Sequence, residues 1–282
     1  MINWYPGHMA KTKRLIKEKL ELIDIIYEVI DARIPCSSMI KDIDDIIKNK
    51  PIILVFTKMD LCDKEETNKW INYYQKSNYK VITFDLMNDK TDPLLNLTND
   101  VLKEINNKRI EKGMKKRIYR AMVIGVPNVG KSTLINRLAG KKKTRVANMP
   151  GVTKNLDWIR LSEKLELMDT PGILWPKLDN EKTALNLAST TAIKEEILPL
   201  DEVAIHILNI LDTYYKDKLN SRYKINSINY FDIEDTLNII GSNIGCLSKG
   251  GEVDIDKVYL YIINDIKDGK IKGITFDRFD QK

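Results

Sequence analysis

The sequence predicts an α/β fold, a mostly parallel sheet with crossover helices, followed by a small α-helical C-terminal domain. Three observations carry this. Short apolar runs alternate with helix-period stretches as far as Met168. A glycine-rich loop joins one such run directly to a helix. Beyond Trp175-Pro176 strand signals largely stop and residues 181–240 read as helical, so the expected boundary lies between segments 1–176 and 177–282.

Composition is compatible with that architecture. The chain has 282 residues, 43% of them hydrophobic, enough for a sizeable core and too many for a disordered chain or a disulfide-stapled scaffold. Net charge is +6, which suits an anionic partner without specifying one. Cys36, Cys62 and Cys246 lie far apart, as do His8 and His206, which argues against zinc and for a reducing compartment. The opening MINWYPGHMAK lacks a signal-peptide pattern, and no apolar run approaches the ~18 residues of a membrane span. The expectation is a soluble, cytoplasmic protein.

Each element has its own justification. Leu15, Ile16, Leu20 and Leu22, interleaved with Lys11, Lys13, Arg14, Lys17 and Lys19, fit an amphipathic helix with a basic outer face over 10–22. Residues 27–32, 52–56 and 81–84 read as strands, with helices around 66–75 and 93–105. The stretch 107–120 holds seven basic residues and one acid; it is either a solvated surface link or a contact for phosphates. A strand over 121–126, a helix over 132–139, a basic cluster at 141–145 and a hairpin across 158–168 follow. Residues 241–251 read as loop before a helix over 254–268, and His206 reads as a packed core residue.

The glycine-rich loop carries the chemistry. Gly125-Val126-Pro127-Asn128-Val129-Gly130-Lys131-Ser132 fits GxxxxGK[ST] between a strand and a helix. Its N–H groups and helix dipole suit a β-phosphate, with contacts running from Asn128 and Val129 through Gly130, Lys131, Ser132 and Thr133. Lys131 would bridge β- and γ-phosphates, and Ser132 would ligate Mg²⁺. Asp169-Thr170-Pro171-Gly172 ends an apolar strand, where Asp169 can hold a Mg²⁺ water and the Gly172 N–H can approach the γ-phosphate. Thr153, in Pro150-Gly151-Val152-Thr153, is placed to close over Mg²⁺. These three motifs in this order define a P-loop NTPase with two switches.

Thr57-Lys58-Met59-Asp60 follows a buried strand, where a base-reading loop belongs. Asp60 can accept the guanine N1–H and N2–H together, and the Lys58 stem can pack over the purine. This favours GTP and GDP over adenine nucleotides. Thr57 replaces the usual Asn, so the loop is expected to be less well tied to the P-loop. Asp60 precedes Gly125 by 65 residues (125 − 60), the reverse of ordinary GTPases. The expected fold is therefore a circularly permuted P-loop GTPase, with its second switch leading straight into the helical segment.

The sequence closely resembles the YlqF-type circularly permuted GTPases, the ribosome biogenesis GTPase A family. The likeness spans essentially the whole chain: residues 4–11 (WYPGHMAK), Asp31-Ala32-Arg33-Ile34-Pro35, residues 125–138, 150–153, 169–177 and 245–251. It implies a GTPase that binds a late precursor of the large ribosomal subunit, promotes its maturation and hydrolyses GTP there. The implied partners are that subunit and its ribosomal RNA, contacted by the helical domain, with neither DNA nor membrane. A monomer is expected, since no exposed apolar heptad is apparent. The second base loop of relatives, Asn-Ser, aligns with Asp85-Leu86, where a backbone N–H would serve the base. Ile173 stands where many GTPases carry a water-orienting Gln. The resemblance points to His8 for that work; read by residue alone, His8 equally well contacts RNA or caps the basic helix. It also points to Asn128 as a K⁺ ligand, the alternative being a local backbone bond. Two other functions stay open: a GTP-gated binding module with little turnover, and an ATPase, which Asp60 disfavours.

Overall fold

The computed structural model describes residues 14, 16–40, 47, 50–86, 88, 90–114, 118–140, 158–161, 165–170, 172, 180–193 and 199–281. His8, Thr153, the basic cluster 141–145, Ile173 and the expected boundary near 176 lie outside them, as do Trp4, Tyr5 and Trp175.

Six strands, β1 (Ile25–Asp31), β2 (Ile52–Thr57), β3 (Lys80–Thr83), β4 (Tyr119–Ile124), β5 (Trp158–Arg160) and β6 (Leu165–Asp169), form a sheet ordered β3-β2-β1-β4-β6-β5. Only β5 runs antiparallel, closing a hairpin on β6 in which Trp158 faces Met168. β1 is the sheet's axis and every one of its residues is buried, because helices cover both faces. Burying each of its large apolar side chains stabilises the fold by about 1.5–3 kcal/mol. Two of its interior polar side chains are hydrogen-bonded: the Tyr27 hydroxyl pairs with Thr98 Oγ1 at 2.7 Å, and Glu28 Oε1 accepts from the Ile40 N–H at 2.6 Å.

Between the strands run α1 (Lys64–Lys76), α2 (Asp92–Glu111) and α3 (Lys131–Leu138). Asp63 caps α1 by accepting from the Glu66 N–H at 3.2 Å. α2 starts with Pro93 in its first turn and continues to Glu111, past the residue expected to end it. The first residues of the basic stretch are thus helical: Lys108 and Arg109 occupy the last turn, where cations complement the helix dipole. The expected N-terminal helix is visible from Arg14, and Leu20–Leu22 tightens into a 3₁₀ turn.

After Asn180 the described chain is helical: α4 (Glu181–Ser189), α5 (Leu200–Tyr214), α6 (Lys216–Tyr223), α7 (Ile233–Ile244) and α8 (Ile255–Lys267). α5 packs on α4, α6 and α8. α7 extends through Gly241, which the sequence reading assigned to a loop. A Cβ there would run into Val253 and come within 2.9 Å of Val258 Cγ2, so this glycine serves close helix packing. One apolar core runs without interruption from Ile16 and the sheet through Val203, Leu211 and Ile262 to Phe276. Among the described residues no helix is long and apolar enough to cross a membrane.

The segment following α8 returns to the sheet half. The Phe276 N–H donates to Arg33 O at 2.8 Å, and the Asp277 carboxylate accepts from the Cys36 and Ser37 N–H groups at 2.7 Å each. Trp70 Nε1 donates to Asp277 O at 3.0 Å, and the Phe279 ring meets Trp70 edge-on with centroids 5.2 Å apart. Burial raises the Asp277 carboxyl, partly offset by its hydrogen bonds from Ser37, Cys36 and Asn186.

Candidate functional site

Among the described residues, the loops at 57–60, 85–86, 125–130 and 169 leave the carboxyl ends of parallel strands, at one edge of the sheet. β4 feeds residues 125–130, which open α3; β2 feeds 57–60; β3 feeds 85–86; β6 ends in Asp169. Parallel neighbours bring these together whatever the chain order, so the site assembles although its base-side strands come first.

At the P-loop, Gly130 has φ 97° and caps α3, receiving the Leu134 N–H at 2.8 Å. A Cβ at Gly130 would lie 2.7 Å from Leu86 Cδ1 and 3.7 Å from Thr57 Oγ1, so both base-side loops close against the phosphate side here. A Cβ on Gly125 would sit 2.7 Å from Val29 O, which only this backbone-to-backbone approach explains. Lys131 is 6% exposed, and its ammonium donates to Gly125 O at 3.1 Å and Val126 O at 2.8 Å. Burial pulls its pKa down to about 8, against the attraction of Asp169. These carbonyls hold the charge in a ring that an anion could enter. Val129 is buried, while Ser132 and Thr133, in the first turn of α3, are half-buried.

Asp169 is buried at the end of β6, with Oδ2 3.4 Å from Ser132 Oγ. A hydroxyl and a carboxylate side by side at a helix start form a hard oxygen pair suited to a phosphate-bound Mg²⁺. Among the described residues no three His, Cys, Asp or Glu side chains cluster as a metal cage. Thr170 Oγ1 donates to Val123 O at 2.8 Å, and Gly172 lies against Pro127: a Cβ would fall 2.7 Å from its Cα. The second switch therefore touches the P-loop directly.

On the base side, the Thr57 hydroxyl lies 2.6 Å from Val129 O and 3.1 Å from Ile30 O. The hydroxyl thus supplies a direct hydrogen bond from this loop to the P-loop. Lys58 sits at φ 57°, Met59 packs beside the aromatic cluster around Trp70, and Asp60 is exposed. Lys58 Nζ donates to Asp31 Oδ2 at 2.8 Å, while Arg33 forks onto the same carboxylate through Nε at 3.1 Å and Nη2 at 2.8 Å. Burial works to raise the Asp31 carboxyl, but Arg33 and Lys58 overcome it and hold it well below the ordinary range. Lys58 is pulled down by burial and by Arg33, despite Asp31: one carboxylate serves two cations. Asp85 holds its own turn, accepting from the Asn88 N–H at 3.2 Å and Nδ2 at 2.8 Å.

Several participants were not legible in the sequence. Asn128, at φ 60°, donates through Nδ2 to Thr191 O at 2.7 Å and lies 3.3 Å from Thr191 Oγ1, which links the P-loop to the end of α4. Thr191 is itself at φ 63° and carries no motif that would flag it. Asp31 did carry a signal, a carboxylate ending an otherwise apolar strand with Arg two residues on. His206, expected in the core, is half-buried and makes a polar contact: Nε2 lies 2.8 Å from Asn186 Oδ1, and partial burial draws its pKa down to about 4.

A family model described as 50S ribosome-binding GTPase matches residues 120–238. Ribosome biogenesis GTPase A of Priestia megaterium is 45% identical over 98% of this chain and 96% of its own length. The Thermotoga maritima protein of the same name is 31% identical over 98% and 94%. The crystal structure of GNP-bound YlqF from T. maritima superposes with a TM-score of 0.65 at 25% identity, covering 95% of this chain and 98% of that one. With 45% and 31% identity to these relatives over nearly the full length of each chain, the chain belongs to the ribosome biogenesis GTPase A family.

Proposed function

We propose that this ribosome-biogenesis GTPase binds a precursor of the large ribosomal subunit through ribosomal RNA, promotes its late assembly and hydrolyses GTP to GDP and phosphate there. The observation that supports this most is the convergence of residues 57–60, 86, 125–132, 169 and 172 on one sheet edge. It works in the cytoplasm as a monomer, and basic segments such as 107–120 give RNA contacts that weaken with salt.

Asp60 accepts the two guanine donors and the Lys58 stem covers the ring, while Asp85-Leu86 flank the base by backbone. Asn128 to Thr133 surround the phosphates, with the Lys131 ammonium moving from its carbonyl ring to the β- and γ-oxygens. Ser132, Thr153 and, through water, Asp169 would hold Mg²⁺, which when bound offsets charge on those oxygens. Asn128 would hold K⁺, which would offset charge on the same oxygens. Gly172 donates its N–H toward the γ-phosphate, and His8 orients the attacking water, replacing the Gln that Ile173 displaces.

The test is GTP turnover in KCl, with and without purified large subunits. Stimulation by the subunit, abolished in NaCl, is expected. GTP-dependent co-sedimentation with no added turnover would instead support a GTP-gated binding module.

A further inference from the structure

Arg33 is 3% exposed, and each polar part of its guanidinium has a fixed task. Nε and Nη2 fork onto Asp31, and Nη1 reaches 233 residues along the chain to donate to Ile266 O at 3.0 Å. That carbonyl belongs to the last turn of α8, where a cation also complements the helix dipole. Asp31 Oδ2, shared with Lys58 Nζ, passes the constraint to the loop holding Asp60. Lys58 has φ 57°, a conformation L-residues adopt at a cost, so something must hold it. The same loop is gripped a second time from the segment after α8: Leu61 O accepts from the Gly273 N–H at 2.8 Å and the Ile274 N–H at 3.2 Å.

We propose that Arg33 is a positioning residue for guanine recognition. It touches no part of the base. Anchored on the C-terminal turn of α8, it fixes Asp31, which fixes Lys58 in its left-handed conformation and so aims the Asp60 carboxylate. This rests on the reading that Asp60 accepts the guanine N1–H and N2–H. Lys at this position would keep the charge and lose the fork, because an ammonium cannot span both Asp31 oxygens and Ile266 O in a plane.

The experiment measures binding of GDP and of inorganic pyrophosphate, each by displacement of a fluorescent GDP, to the full chain carrying Arg33→Lys, Lys58→Met or both. Arg33→Lys should weaken GDP about tenfold and leave pyrophosphate unchanged, since the phosphate loop is held separately. Lys58→Met, which retains the stem and the Asp31–Arg33 pair, should do the same. The double variant should be no weaker than the weaker single one, because both changes cut a single chain of contacts. Equal losses for GDP and pyrophosphate, unchanged GDP, or losses that multiply in the double variant would overturn the proposal. Should Arg33→Lys not fold, Lys58→Met alone decides by the same two ligands. Asp60→Asn is run alongside: a switch from GDP to xanthosine diphosphate upholds the base reading independently of Arg33. Without that switch the base reading fails, and the inference with it.

Discussion

The two halves of the nucleotide site hold their charged groups in opposite ways. On the base side, Asp31, Arg33 and Lys58 satisfy one another before any ligand arrives, through side-chain bonds of 2.8–3.1 Å. On the phosphate side, the Lys131 ammonium rests on main-chain carbonyls of its own loop, with no carboxylate within hydrogen-bond distance among its contacts. The first arrangement is finished and stabilises the fold; the second is provisional, a buried cation kept ready for an anion. On the proposed reading, recognition of the base is built into the folded chain, whereas the phosphate half is completed by its ligand.

The comparison breaks most readily at Asp31. Asp31→Ala leaves Arg33 and Lys58 facing each other in the interior, and should cost about 3–5 kcal/mol of unfolding free energy by denaturant titration. A loss below about 1 kcal/mol would mean that the ion network does not support the base side. Lys131→Met should behave oppositely. It removes a buried charge that no carboxylate hydrogen-bonds and that the attraction of Asp169 only partly offsets, so nucleotide-free stability should rise by about 1–3 kcal/mol, while GTP turnover falls ~10²–10³-fold. A variant that lost both stability and turnover would show the lysine to be structural.

The smallest effect sharpens the contrast through pH. Lys131 has a pKa of about 8 in the folded chain against an ordinary 10.5. Between those values the unfolded chain binds the extra proton, so this group's contribution makes nucleotide-free stability rise with pH across that window and adds nothing above it. Phosphate binding needs the ammonium, so GDP binding takes up a proton there, and affinity declines as pH rises above about 8. Calorimetry at pH 8.5 in two buffers of different ionisation enthalpy reads the uptake directly. Binding enthalpies independent of buffer would count against it.

Why some of this could be read in the sequence follows from how each part works. A P-loop uses consecutive backbone N–H groups, so its residues must be adjacent, and Gly125 to Ser132 stand out at once. The Thr57–Asp60 loop was legible for the same reason. Arg33 to Ile266, Leu61 to Gly273 and Asn128 to Thr191 each end on or start from a backbone group, and any residue supplies one of those. No residue type marks such a partner, and the separations defeat local pattern. The assignment of Gly241 to a loop failed for a related reason: its use is contact with Val253 and Val258, which local propensity does not record. α2 outran its expected end because nothing in Asn106 to Glu111 stops a helix.

The return of residues 273–279 to the sheet half has a consequence for how the molecule is made. Trp70 waits for Asp277, Glu66 for Phe279 and Arg33 for Ile266, separations of 207, 213 and 233 residues. At about 5–20 residues per second, translation leaves those groups without their partners for roughly 10–47 s. During that interval the Trp70 ring lacks the contacts that Asp277 and Phe279 supply in the folded chain. The P-loop and its switch, by contrast, have all their strands once Asp169 has emerged. The loop proposed to read the base is thus synthesised first and receives its last supporting contacts only when residues 273–279 are made.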